Sequence, residues 1–204
     1  MQLLIDKKDF DYLRLQRGDL YSFVNDFDAF TAAYQERLSE TLASMKPVLP
    51  KVCNRVLDVG SGLGGIDIFI HDHYQRENGR GPNIHLLDGE SDKPKVLKHD
   101  QTFNDMFRSI TFLKRNGVEF VSFSTPDNLS DIGQFDLVVS FAAWCFHFHP
   151  KIYLDYVVKH CHATTVLILD VRRNEWRDLL GTDFVVKGNI EVGKKYDRLV
   201  LGLK

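Results

Sequence analysis

Cysteine is scarce in this chain: Cys53, Cys145 and Cys161 are the only three in 204 residues. An odd number with no C-x-x-C pair argues against a disulfide framework and fits a reducing, cytoplasmic setting. Long apolar runs are missing too. No stretch approaches the roughly 20 residues needed to cross a bilayer, and Leu3–Ile5 is too short for a secretory signal. An excess of one charge is also absent, since 26 Lys and Arg face 28 Asp and Glu. General affinity for polyanions is therefore not expected, and neither a membrane nor a long nucleic acid is an expected partner. No internal repeat, heptad series or low-complexity tract is present. What is there is 44% hydrophobic and 12% aromatic residues, enough for one α/β domain with a substantial core.

The most informative segment runs from Arg55 to Asp67, RVLDVGSGLGGID. A short apolar run ends in an acid, a glycine-rich turn comes next, and Ile66, Phe69 and Ile70 then recur at helical spacing. This reads as strand, tight loop and helix. Glycine allows positive φ and close approach of a ligand to the main chain, and the helix begins with N–H groups that lack intrahelical partners. Gly60, Gly62 and Gly65 satisfy G-x-G-x-x-G, so a dinucleotide site is formally open. Asp58, two residues before Gly60, weighs against one. A carboxylate there would repel a pyrophosphate and attract a cationic ligand.

Alternating patterns continue along the chain. Asp26 or Asp28 can cap a helix carrying Phe30, Ala33, Tyr34, Leu38, Leu42 and Met45, ended by Pro47 and Pro50. The aromatic residues before it form either a lid or ordinary packing. Ile84–Asp88 reads as a second strand ending in an acid, which suits a bidentate grip on ribose hydroxyls. Gln75 to Asn83 reads as a surface loop. A helix over 102–114 shows Phe103, Met106, Phe107, Ile110 and Leu113 on one face and ends at Asn116-Gly117. Strands are expected at 118–123, 135–141, 164–170, 184–187 and 198–203, the last two as a hairpin, with helices at 153–159 and 175–180. The expected fold is thus α/β, a Rossmann-like, doubly wound, mostly parallel sheet. Residues 1–50 are expected to form a helical extension or lid on a domain at 51–204.

The run VLDVGSGLG (56–64) closely resembles motif I of class I S-adenosylmethionine-dependent methyltransferases. The resemblance implies a seven-stranded sheet with the last strand antiparallel. It also implies S-adenosylmethionine as cofactor: Asp58 near its amino group, the loop of Gly60, Ser61, Gly62 and Gly64 against its methionine part, and Asp88 on its ribose. Ligands of open α/β sheets bind beyond the carboxyl ends of the strands, which adds Ser124 and Ser140 as candidates. The segment after the fourth strand, SFAAWCFHFHP (140–150), lies where methyltransferases of this class flank the transferred methyl group. It lacks the Asn/Asp/Ser-Pro-Pro-aromatic signature of DNA and protein amide methyltransferases. Together with 102–117 and Leu169–Arg172 it is similar to a bacterial and phage group of sugar O-methyltransferases, which implies a hydroxyl on a small polar acceptor. An unperturbed His can accept a proton near neutral pH, so His147 is the first candidate base and His149 the second. Trp144 would wall the acceptor, and Arg172 would contact an anionic one. No metal is expected, because the pairs His71/His73, His147/His149 and His160/His162 do not have helical ligand spacing. Two alternatives remain open: an NAD(P)-dependent oxidoreductase, and a non-catalytic protein that binds S-adenosylmethionine.

Overall fold

Local polar chemistry starts the first two helices. In this computed structural model, which describes residues 1–89, 105–192 and 195–204, α1 spans Lys7–Gln16 and opens on a reciprocal capping box. Asp6 accepts the Asp9 N–H at 2.8 Å, and Asp9 accepts the Asp6 N–H at 3.0 Å. A 3₁₀ turn (Gly18–Phe23) leads to α2 (Phe27–Met45), capped by Asp26, whose carboxylate accepts the Ala29 N–H at 3.0 Å. Phe30, Tyr34, Leu38, Leu42 and Met45 form its buried face, as the periodicity predicts.

Then come β1 (Arg55–Val59), α3 (Gly65–Asn78), β2 (Asn83–Leu87), α4 (Met106–Arg115), β3 (Val121–Ser124), β4 (Phe135–Ser140), α5 (Leu154–Lys159), β5 (Cys161–Val171), α6 (Asn174–Leu180), β6 (Phe184–Val192) and β7 (Asp197–Leu203). The sheet order is β3-β2-β1-β4-β5-β7-β6. Pairing is parallel from β3 across to β5, while β7 runs antiparallel to both β5 and β6. The expected Rossmann-like, mostly parallel seven-stranded sheet is therefore the observed one.

Alternation along the strands sends side chains into two cores. Val56, Ile84, Leu86, Val139 and Ile168 pack with α1–α4, on the side that includes Phe30, Ile70 and Phe112. Leu57, Val59, Leu167 and Leu169 pack on the other side with Val157 of α5 and Trp176 and Leu180 of α6. The N-terminal helices thus share a core with the sheet. Their free end is tied to α4: Leu4 exchanges hydrogen bonds with the Asn116 side chain, and Arg115 pairs with Asp6 and Asp9.

Several boundaries differ from expectation. Helix α3 runs to Asn78, so residues 75–78 form its last turn and the expected loop shrinks to 79–82. Gly79, at φ +73°, stops the helix in the left-handed conformation. Strand β3 lies at 121–124 rather than 118–123. Of the helix expected over 102–114, residues 102–104, Phe103 included, lie outside the described residues, and Asp105 caps the helix that begins at Met106. Strands β5 and β6 are longer than their apolar runs. Lys187 to Asn189 carries no strand pattern, yet β6 pairs with β7 throughout, across two bulges. The three cysteines are buried thiols. Among the described residues no helix is long and apolar enough to cross a membrane.

Candidate functional site

The glycine loop stands at the carboxyl end of β1 and joins every element around it. Gly60, Gly62 and Gly64 all have positive φ (75°, 54° and 76°), a conformation that favours glycine. The Gly60 N–H donates to the Leu87 carbonyl at 2.6 Å, and the Gly64 N–H donates to the Ser61 carbonyl at 2.9 Å. The Gly62 N–H donates to Asp88 at 2.8 Å, while its carbonyl accepts the Ser109 hydroxyl at 2.8 Å. The loop is crowded by the chain itself. A Cβ on Gly60 would lie 2.2 Å from the Ala143 Cβ, one on Gly64 2.6 Å from Leu113, and one on Gly65 2.1 Å from the Tyr34 hydroxyl. The glycines at 60, 64 and 65 therefore already have an intramolecular reason. At Gly62 the nearest atom is Gln16 Oε1 of α1, at 3.1 Å. The end of the first helix thus lies directly over this part of the loop.

Three carboxyl groups meet here. Asp88 comes directly after β2 and is half-buried; it accepts the Gly62 and Gly89 N–H groups. Asp58, the penultimate residue of β1, is 3% exposed and points to the same side as Val56, toward α2 and α3. There it meets Asp67 of the first turn of α3, which is 0% exposed. Burial pushes both carboxyls up, Asp67 to about 7. At Asp58 the neighbouring Asp67 and then Asp88 add to the effect. No ion pair joins Asp58 or Asp67 to a basic side chain among the described residues. The Asp67 oxygens also have no hydrogen-bond partner there apart from the Asp58 carboxyl. Nothing in the sequence singles out Asp67. An acid in a first helical turn ordinarily complements the helix dipole at the surface, and only the α2–α3 packing buries this one.

The segment after β4 is a tight knot. Ala142 and Cys145 have positive φ, 51° and 68°. The Ala143 carbonyl accepts the N–H groups of Phe146, His147 and Phe148, and Arg172 N–H donates to the Cys145 carbonyl at 3.0 Å. Three sequence-based assignments are corrected at this end of the sheet. Trp144 is 0% exposed, with its indole N–H donating to the Pro150 carbonyl at 2.8 Å, so it is core and not an acceptor wall. Ser140 is spent inside the protein: its hydroxyl donates to the Val59 carbonyl at 2.7 Å and accepts the Trp144 N–H at 3.0 Å. Ser124 is buried with its hydroxyl 3.0 Å from His85 Nε2, while Ser122 takes the other ring nitrogen at 2.7 Å. Burial pulls that imidazole down to about 4 and keeps it neutral. Both serines position strand ends and offer no free hydroxyl to a ligand.

His147 and His149 are exposed, as is Arg172. His149 accepts the Lys151 N–H at 3.2 Å and caps a short 3₁₀ turn, with its ring 5.7 Å from Trp176. His147 packs against Phe146, and the Arg172 guanidinium lies 5.4 Å over the Phe146 ring. Partial burial and then Arg172 lower the pKa of His147, which leaves it neutral and able to accept a proton at pH 7. A further feature is a pairing that no local sequence pattern announces. Asp170, at the end of β5, is locked to Arg198 of β7 by two hydrogen bonds of 2.8 and 3.2 Å and also accepts the Ala142 N–H at 3.1 Å. That triple contact anchors the start of the segment carrying His147. Among the described residues no group of three or more His, Cys, Asp or Glu side chains could hold a metal ion.

No protein-family model matches the chain, and no curated protein matches it. Solved structures do share its fold. The PH0226 protein of Pyrococcus horikoshii OT3 aligns with a TM-score of 0.60 at 16% identity, covering 84% of this chain and 91% of that one. Magnesium protoporphyrin IX methyltransferase (ChlM) of Synechocystis PCC 6803, solved with S-adenosylmethionine bound, aligns over 100% of both chains with a TM-score of 0.53 at 13% identity. The N-methyltransferase NodS of Bradyrhizobium japonicum WM9, solved with S-adenosyl-L-homocysteine, aligns over 83% of this chain and 85% of its own, at 0.51 and 14% identity. At such identities the likeness is one of fold, and the fold is the Rossmann-like one of these methyltransferases.

Proposed function

We propose that this protein is an S-adenosylmethionine-dependent methyltransferase. One observation carries the reading: a buried pair of carboxyl groups, with no basic side chain paired to it among the described residues, lies beside a glycine loop at the carboxyl end of a methyltransferase-type sheet. A ligand that brings positive charge complements that pair, whereas a pyrophosphate would be repelled by it. The same electrostatics disfavour an NAD(P)-dependent oxidoreductase. The residues fit the cofactor: Asp58 faces its amino group, Gly60, Ser61, Gly62 and Gly64 shape its pocket, and Asp88 holds the ribose. Tyr12 and Gln16 of α1 cover the same region. When bound, S-adenosylmethionine supplies a methyl group already activated on a sulfonium.

The protein then has to orient an acceptor atom and remove its proton. We assign the proton to His147, which is exposed, neutral and carried on the segment seated against Gly60. Arg172 beside it would hold an anionic substituent of the acceptor. The acceptor proposed from these groups is a hydroxyl on a small polar molecule such as a saccharide.

Calorimetric titration with S-adenosylmethionine and S-adenosylhomocysteine tests the cofactor. Saturable binding of both is expected, and failure of the folded protein to bind either ends the proposal. Energy transfer to added NADH, with no binding of S-adenosylhomocysteine, would instead favour the oxidoreductase. With an acceptor in hand, His147→Gln is expected to lower kcat by about 10²–10⁴-fold and to leave cofactor affinity unchanged.

A further inference from the structure

Asp67 has no evident structural duty. It is the third residue of α3, fully enclosed, and its carboxyl oxygens find no hydrogen-bond donor among the described residues other than the carboxyl of Asp58. Leaving such a group unmatched costs about 1–3 kcal/mol, more when it is charged. What faces it is Asp58 from β1. From α2 comes the Tyr34 hydroxyl, which feels both acids. The Arg17 guanidinium lies 5.1 Å over the Tyr34 ring and pairs with Asp19 at 2.6 Å, so its charge is already engaged. Asp88 adds a third negative group from the loop after β2. From α4 the nearest side chain to Gly64 is the apolar Leu113. Two carboxyls in such surroundings cannot both be ionised without a cation between or beside them, so they hold one proton in common.

We infer that Asp67 is a positioning residue of the cofactor site, which keeps a shared proton on Asp58 that the ammonium group of the arriving cofactor displaces. The inference rests on the function proposed above and adds a regulation to it: binding releases a proton. The balance is simple. One O–H bond of the pair breaks, the proton goes to solvent buffer, and the pair passes from one negative charge to two as the ligand brings one positive charge alongside. Protons and cofactor therefore compete. Affinity rises with pH by up to about tenfold per unit while the empty pair is protonated, and levels off above the range where the pair ionises.

The test titrates the full chain with S-adenosylhomocysteine near pH 6, where the ligand's amine, with an ordinary pKa of about 7.7–8.0, is fully charged. Paired buffers of different ionisation enthalpy report the protons exchanged. Release of about one proton per ligand is expected, falling as the pH rises through the range where the pair ionises. S-adenosylmethionine should behave alike, because both carry the ammonium. Binding with a heat independent of buffer and an affinity independent of pH overturns the inference while leaving the cofactor reading intact. Absence of binding at every pH removes the cofactor reading itself. Asp67→Asn keeps the side-chain shape and can donate to Asp58, so it should bind near pH 6 without releasing the proton. Equal release by wild type and Asp67→Asn would place the proton elsewhere and sink the assignment. Should that variant fail to fold, the wild-type buffer series decides alone.

Discussion

Asp58 and Asp170 occupy equivalent places: each is the penultimate residue of its strand and each is almost fully buried. Their neighbours make them opposite in kind. Asp170 stands directly across from Arg198 in the antiparallel pairing of β5 with β7, so the sheet register itself supplies the counter-charge. Asp58 lies between parallel neighbours, and the residues in register with it are Leu86 and Val139. The third group near it is another acid. The comparison teaches that a buried carboxylate is structural where the fold provides its cation; Asp58, which has none among the described residues, is the one we propose meets a ligand.

Breaking the paired side should have the largest effect. Asp170→Ala leaves Arg198 with the more exposed Glu191, 3.3 Å away, in place of its buried partner and frees the Ala142 N–H, and should cost about 3 kcal/mol in denaturant unfolding. The same kind of change on the unpaired side should do the reverse of harm to folding. Asp58→Asn removes a buried acid with no cationic partner among the described residues, so stability should hold or rise. Binding of S-adenosylhomocysteine should weaken by about 2–3 kcal/mol, roughly thirty- to a hundred-and-fiftyfold. A loss of stability at Asp58 as large as that at Asp170 would erase the distinction drawn between them.

The joint between the two regions is Gly60 against Ala143. Gly60→Ala places a methyl in positive φ and within the Ala143 side chain, and should cost about 2–3 kcal/mol by thermal or chemical melting. A neutral result would mean that the segment after β4 does not rest on the glycine loop. The smallest effect is expected at Trp144→Phe, where the Pro150 carbonyl loses its donor: about 1 kcal/mol of stability, with cofactor affinity unchanged. A drop in affinity alone would restore Trp144 to the site.

Much of this was legible in the chain. The run from Arg55 to Asp67 announces strand, turn and helix through local rules, because glycine and an alternating apolar pattern act within a few residues. The helical face of α2 and its cap at Asp26 were legible for the same reason. The aromatic segment 141–149 was misread at Trp144, since an indole beside a sheet carries the same letters whether it faces a ligand or the core. Ser124 and Ser140 were misread likewise: a hydroxyl at a strand end is available only if no neighbouring carbonyl, amide or imidazole has already taken it.

Sequence alone thus determined the order of elements, the glycine loop, and the acids that end β1, β2 and β5, because propensity, periodicity and turn chemistry are short-ranged. Tertiary structure decided which of those acids has a counter-charge, which side chains crowd each glycine, and that Asp67 is buried beside Asp58. Those outcomes depend on register between strands and on helix–sheet packing, where residues far apart in the chain meet at low dielectric. No local pattern encodes the charge of a neighbour that arrives 28 residues later, as Arg198 does for Asp170.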